Sequence, residues 1–481
     1  MTGADRKAYA ERVVRWWAPG QLRLRSEPQH DAAGEAATQE QIFAALLLAV
    51  LTFAAFLHGA YYATEARWVA LMLAGLGVAV WIPPTTRRRS IGSIQRWFVG
   101  AQLAFLLALG VDVARHGVGA GEQLMAWILV GGAGAYLVGA FGVADDELLL
   151  IVITAVGVVV AATAIIGVVF HLVPWALHST FWRGASTVTY PNAAGALIVL
   201  ALPASIVLRA RSETSASAVG VWVLLTGVIA TVSLGAALGA CVLLLALRRS
   251  ADLVRHLAWP AAAAAVTGCA LIPSIIDRNS TAILPLAVIP LSLVLCIRRS
   301  PERIPRLALV SGLQGLVVLV AAVRVAYPRM LHVDQLTRVH EWGVALHVFE
   351  NHPLFGAGLG RLNIMVHSPL STVVSSRFAH NEYLQSLAEL GLVGGALVFG
   401  GIVLIALGCF HDRCDRLRSE SIAGGAALTA FAAQSAFDFL WHVPLLVFLV
   451  AVWLAIIVRG KDPGNRLVDS ATRTNATEVS T

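Results

Sequence analysis

Residues Phe378 to Gly395 read FAHNEYLQSLAELGLVGG, which sets a histidine, a tyrosine, a glutamine and two glutamates at the mouth of an apolar run. An imidazole with the ordinary histidine pKa near 6.5 accepts a proton around neutral pH, so His380 is a candidate general base. Upstream, RVHEWGVALHVFENHP places Arg338, Glu341, Trp342, Ala345 and Phe349 at three- and four-residue spacing, the mark of one helical face. The Arg338 guanidinium is permanently charged and can grip two oxygens of a phosphate at once. Proton abstraction and stabilisation of anionic charge are therefore the chemistries these residue types can offer. Between the two stretches lies PLFGAGLG, with Gly356, Gly358 and Gly360 on alternate residues. Such glycines permit positive φ and close backbone approach, and more often make a turn than a phosphate cradle. Each residue also has a plainer reading: Asn381 as a helix N-cap, Glu389 as a solvated interfacial charge, Arg338 as a snorkelling arginine.

The elements that must position these residues are membrane helices. Of 481 residues, 58% are hydrophobic and 13% charged, against about 25% charged in a soluble domain. Apolar runs recur from Gln41 to Val458. The spacing predicts an all-α polytopic membrane protein of about fourteen transmembrane helices. They fall near 41–61, 67–83, 97–114, 123–142, 148–172, 193–209, 218–232, 235–247, 258–276, 281–297, 307–326, 390–409, 421–441 and 444–458. The seventh and eighth share one apolar stretch broken only at Ser233-Leu234-Gly235. Residues 1–40 read as a polar cytoplasmic arm, 41–458 as the membrane domain and 459–481 as a cytoplasmic tail. With this count, the basic segments Arg87–Arg89, Arg209–Arg211, Arg248–Arg249, Arg298–Arg299, Arg413–Arg418 and Arg459 all fall in the cytoplasm. The net charge of +7 thus reads as topology signal, not a nucleic-acid face. Two connections fall outside, about Pro174 to Asn192 and about Tyr327 to Glu389. The second is the longest loop, and long loops in compact proteins are usually functional.

The order of these motifs resembles the bacterial O-antigen ligase and O-antigen polymerase family. The resemblance covers roughly residues 180 to 458. It rests on Arg338, Trp342, Ala345 and Leu346; on Pro353-Leu354-Phe355-Gly356 with Gly358 and Gly360; and on His380, Asn381, Tyr383, Leu384, Gln385, Leu387, Glu389, Gly391 and Gly394. RGASTVTYPNAAGALIVLALP adds Arg183, Thr187, Pro191, Asn192 and Pro203, and DFLWHVP, Asp438 to Pro444, is similar to the outer end of the family's penultimate span. One departure stands out. Many relatives carry Ser-Arg-Gly where this chain has Ser233-Leu234-Gly235, so Arg183, Arg361 or Arg377 must supply that charge or the donor site is altered.

The resemblance implies a GT-C-like bundle in the inner membrane, whose termini the basic segments place in the cytoplasm, acting as a metal-independent glycosyltransferase without a cofactor. Its donor would be a glycan on a polyprenyl pyrophosphate; its acceptor would be a hydroxyl on a glycan or a lipid-linked core, outside the bilayer. On this reading Arg338 steadies the leaving pyrophosphate and His380 takes the acceptor's proton. Arg183, Asn192, Trp342, Asn381, Tyr383, Gln385, Glu389 and Asp438 become substrate-binding candidates, and the three loop glycines are structural. No Asp-x-Asp pair or carboxylate cluster lies in the outer loops, and His340, His347 and His352 do not align on one helical face for zinc. Two other readings stay open. A transporter or flippase of lipid-linked glycans should bury charges within its spans, which here are nearly free of them apart from Asp112 and Asp438 near helix ends. Leu234 also leaves room for a non-catalytic relative that binds polyprenyl glycans.

Overall fold

The computed structural model describes residues 28–81, 110, 112–115, 146–179, 181–248, 250–276, 282–299, 328–367, 373–411 and 419–459. The expected spans near 97–114, 123–142 and 307–326 therefore lie almost wholly outside the described residues, as do Arg87–Arg89 and Arg413–Arg418. The described chain is a helical bundle: α1 (Pro28–Phe56), α2 (Ala63–Trp81), α3 (Asp146–Phe170), α4 (Pro191–Ser212), α5 (Ser215–Thr231), α6 (Leu234–Leu247), the short α7 (Ala251–Arg255), α8 (Ala258–Ile276), α9 (Ile283–Cys296), α10 (Pro328–Asn351), α11 (Glu382–His411), α12 (Ser419–Ser435) and α13 (Pro444–Arg459). Among the described residues α3, α4 and α8 are long and apolar enough to cross a membrane. This is a helical membrane protein.

Several boundaries move for local reasons. Helix α1 starts at Pro28, thirteen residues ahead of Gln41, because the polar stretch there is rich in the strong helix formers Ala, Glu and Gln and opens on a proline suited to the first turn. The break between α5 and α6 is real: Val232 turns left-handed at φ 46°, and Ser233 Oγ caps α6 by accepting from Ala236 N at 3.2 Å. Helix α12 ends at Ser435, short of the expected 441, because the Asp438 carboxylate turns away from the span toward polar partners. Two small antiparallel ribbons depart from an all-helical reading. In one, β1 (Ala176–His178) pairs with β2 (Trp182–Gly184). In the other, β3 (Ile364–His367) pairs with β4 (Val373–Ser376), Ile364 opposite Ser376. Both occupy loops expected to be extramembrane, where backbone groups freed from helices still need partners.

The bundle packs through small residues. A Cβ on Gly157 would come within 2.2 Å of Ala201 Cβ, and one on Gly227 within 2.6 Å of Ala161 Cβ, so α3 touches α4 and α5 backbone to backbone. The two ends of the bundle differ in chemistry. At one end the buried Arg209 donates to Arg298 O (2.8 Å) and Thr214 O (3.2 Å), while Arg211 pairs with Glu420 and lies 3.7 Å from Glu147. The basic segments at 209–211 and 298–299 thus meet at one end, beside the start of α12. About 26 Å along α4, Asn192 stands at the other end, where α10, α11, the ribbons and the Asp438–Val443 turn gather.

Candidate active site

The glycine loop is a splice for a broken helix. Within α11, Gly391 has φ 64° and ψ −165°, a conformation open to glycine alone, so Glu382–Leu390 and the apolar stretch after it are separate helices. A break leaves carbonyls on one side and N–H groups on the other without partners. The loop after α10 supplies both. Ala357 N and Gly358 N donate to Ala388 O (2.9 Å) and Glu389 O (3.0 Å), and Leu392 N and Val393 N donate to Pro353 O (2.8 Å) and Leu354 O (3.0 Å). The approach is so close that a Cβ on Gly356 would fall 2.1 Å from Glu389 O. On its far side Leu359 N donates to Asp112 Oδ2 at 3.3 Å, and Arg115 stands over the Phe355 ring.

This splice docks the polar helix Glu382–Leu390 onto α10 through Ala345, Leu362, Ile364, Ala379 and Ala388. It brings His380 to Glu341. His380 Nδ1 lies 2.7 Å from Glu341 Oε2; the Glu341 side chain is 2% exposed and the imidazole 26%. An ionised carboxylate accepts from Nδ1–H, which fixes the tautomer and leaves Nε2 as the lone-pair acceptor. His380 itself sits at φ 46°, left-handed and strained for a non-glycine residue. Gln385 holds the preceding residues in place: its Oε1 accepts from Ala379 N (2.9 Å) and its Nε2 donates to Arg377 O (3.0 Å) and Glu389 Oε1 (3.0 Å).

A second network lies alongside. Tyr190 OH donates to the Asp438 carboxylate at 2.8 Å, Asn192 Nδ2 donates to Asp438 Oδ2, and Asn192 Oδ1 accepts from Arg183 Nη2 at 2.7 Å. Burial, then the neighbouring Asp438 charge, pushes the Tyr190 phenol well above its ordinary range, while the Arg338 charge pulls the other way. Arg338 is thus within electrostatic reach of this network, and its Nη1 donates to Phe437 O at 2.9 Å. Arg183 Nε approaches Thr231 O at 3.4 Å, at the turn where Leu234 stands in the sequence.

Phe439 joins the two networks. Its ring stacks on Tyr190 (5.2 Å between centroids) and on Phe378 (4.3 Å), and meets His380 edge-on at 5.1 Å. Behind Phe378 lies His442, whose Nδ1 is 3.4 Å from Glu382 Oε1, long for a hydrogen bond but close for an ion pair. Burial disfavours its charge, yet the Glu382 and Glu389 carboxylates hold the imidazole above its usual pKa. Glu389, 2% exposed, is pushed by burial up to about 7, against the pull of His442, the Gly360 N–H and Gln385.

The predicted residues therefore divide. Arg338, His380, Arg183, Asn192 and Asp438 converge on one face around Phe439. Asn381 is occupied as an N-cap, its Oδ1 accepting from Tyr383 N and Leu384 N at 3.1 Å. Tyr383 is turned to α12, donating to Ala432 O at 2.7 Å. Glu389 is buried, not a solvated interfacial charge, and with Gln385 it braces the glycine loop and the approach to His380. Trp342 is half-buried and its indole N–H finds no partner among the described residues. Sequence reasoning gave no role to Glu341, Tyr190, Phe439 or Glu382, and set His442 aside. Glu341 was visible one helical turn after Arg338, and Phe439 stands beside Asp438 in a motif already singled out. Among the described residues, no three His, Cys, Asp or Glu side chains form a group suited to a metal ion.

Comparison with known proteins follows the same segment. No curated protein matches the chain. Residues 214–399 match the family model described as O-Antigen ligase, and this stretch contains Arg338, Glu341, the glycine loop, His380 and the break at Gly391. The match supports a glycosyl-transferring role in polysaccharide biosynthesis at a membrane. Over these residues the chain is similar to the O-antigen ligase family.

Proposed function

We propose that this protein moves a glycan from a polyprenyl-pyrophosphate donor to a hydroxyl acceptor at the outer end of the bundle, as a ligase or polymerase of cell-surface polysaccharide. The observation that carries this reading is the buried Glu341 on Nδ1 of His380, which leaves Nε2 free to accept a proton. The acceptor oxygen attacks the anomeric carbon as its proton passes to Nε2. The bond from that carbon to the pyrophosphate oxygen breaks, and its electron pair leaves with the pyrophosphate. Arg338 and Arg183 flank the Asp438–Tyr190–Asn192 network and would hold the growing negative charge without reorganising. In this chain Arg183 replaces the arginine that relatives carry near Leu234; its approach to Thr231 O supports the substitution. Arg361 and Arg377 are exposed. Asp438 then acts as the anchor that orients Tyr190 and Asn192. The arginine-rich end at Arg209 and Arg298 faces the cytoplasm, and no metal takes part.

Purified protein in lipid nanodiscs, given a polyprenyl-pyrophosphate glycan and candidate acceptors, tests the reading. Glycan transfer should proceed undiminished in EDTA. Rescue by magnesium after EDTA would overturn the arginine account. Vesicles in which the lipid-linked glycan crosses the bilayer without transfer would favour a flippase.

A further inference from the structure

The first loop of the bundle reaches the same site from the opposite side. Between α1 and α2, His58, Gly59 and Ala60 have φ of 52°, 69° and 60°. Three successive left-handed residues, two of them not glycine, persist only where the surroundings hold them. The hold is tight: a Cβ on Gly59 would come within 2.8 Å of Val443 Cγ1 and 3.3 Å of Val188 Cγ1. The loop is therefore clamped against the two segments that carry His442 and Tyr190. His58 Nδ1 lies 2.9 Å from Glu65 Oε1 and closes the loop across its base.

What this strained loop presents is a pair of tyrosines. Tyr61 is 6.1 Å from Phe378, Tyr62 is 5.3 Å from Tyr61 at 76°, and His58 meets Tyr62 edge-on at 5.4 Å. Aromatic rings thus run from Tyr190 through Phe439 and Phe378 to Tyr61 and Tyr62. The line begins at the half-buried Tyr190 and ends at Tyr62, which is 55% exposed. Two polar groups flank that end. Arg377 is exposed and acts on the Tyr61 phenol, which burial otherwise pushes up to about 12. Glu65 Oε2 is shielded from water and has no hydrogen-bond partner among the described residues.

We propose that Tyr61 and Tyr62, with Arg377 and Glu65 at their rim, form a subsite for sugar rings of the acceptor glycan beyond the unit that reacts at His380. A pyranose has an apolar C–H face and a rim of hydroxyls. Flat aromatic rings match the face, and a carboxylate and a guanidinium match the rim. Phe378 precedes His380 by two residues, so a glycan held at Tyr61 runs directly past the base. Tyrosines at a bundle end also serve as bilayer-interface anchors, which take the ring's amphipathic character but not its flat face. The proposal rests on the transferase reading, and its test separates the two.

Full-length protein in nanodiscs is titrated with defined, lipid-free bacterial oligosaccharides of two to six sugars, followed by saturation-transfer NMR, and in parallel acceptor KM is measured for one-sugar and longer acceptors. Tyr62→Leu should weaken oligosaccharide binding and raise KM for longer acceptors roughly tenfold, with little change for one-sugar acceptors. Tyr62→Phe, which keeps the ring, should lose less. Trp68→Leu, at an exposed aromatic on α2 outside the subsite, should match wild type. The subsite is refuted if Tyr62→Leu binds like wild type, if one-sugar and longer acceptors suffer equally, or if the wild-type protein binds none of the oligosaccharides. Absence of transfer with any donor, alongside oligosaccharide binding lost in Tyr62→Leu, would sink the transferase reading and leave the subsite standing.

Discussion

Glu341 Oε2 and His380 Nδ1 meet at 2.7 Å across 39 residues of chain, one buried and the other partly open to the site. If His380 is the base proposed above, a carboxylate so placed would orient the imidazole and stabilise the charge that the ring takes on during proton transfer. Glu341→Gln preserves shape but removes that charge. Turnover should fall roughly 10²-fold or more, with donor binding nearly unchanged. His380→Ala should fall at least as far and should also lose the acid limb of the rate–pH profile, because a histidine base is silenced by protonation. Initial rates across pH for both variants check this. Normal turnover in His380→Ala would remove the base assignment.

Arg338 should behave differently. Arg338→Ala is expected to weaken donor binding and slow turnover by roughly 10²- to 10³-fold, about 2.7 to 4 kcal/mol. Arg338→Lys should recover only part, since a point charge does not replace a two-pronged donor. Donor binding measured apart from turnover distinguishes the two residues: if His380→Ala lost donor binding as badly as Arg338→Ala, His380 would be a pyrophosphate contact.

The buried carboxyl of Glu389 makes stability depend on pH. Its folded pKa, about 7, lies above the reference value of 4.5, so the fold holds a proton that the unfolded chain has released. Its contribution is complete below about 4.5 and is lost as pH rises through about 7. His442 shifts in the same direction, and its contribution is likewise lost as pH rises through its raised value. Thermal unfolding should therefore show declining stability from acid toward pH 8. Glu389→Gln should flatten the part of that decline below about 7. A variant with the same pH slope as wild type would contradict the burial argument.

Gly391 should tolerate no side chain. A Cβ there would lie 2.5 Å from Gly356 N, Leu354 C and Phe355 N, all backbone atoms that cannot swing aside, and its φ and ψ add strain. Gly391→Ala should cost at least about 1–3 kcal/mol and disorder the His380 segment, lowering both melting temperature and turnover. Gly425→Ala, at a helical glycine with open space around it, should leave melting nearly unchanged.

Local rules were enough to read most of the described helices and to single out several residues that the fold gathers at the candidate site. Apolar runs at helical length mark spans, and they located α3, α4 and α8 to within a few residues. Ser233 was legible as a break because a serine capping a helix is a local event. Arg338, the glycine loop and His380 stood out by type and spacing within one long loop. Their partners were not legible in this way. Asp438 meets Tyr190 across 248 residues, Arg183 reaches Thr231 across 48, and Glu341 meets His380 across the glycine splice. Nothing in a helical period says which distant carboxylate a buried phenol or imidazole will find. That choice follows from how α4, α10, α11 and the turn before α13 pack. Once they pack, every buried polar group must be satisfied by whatever neighbour the packing provides. The same packing turned Tyr383 and Asn381 into structural ties and drew the strained loop at His58 to the site, a placement no local pattern announced.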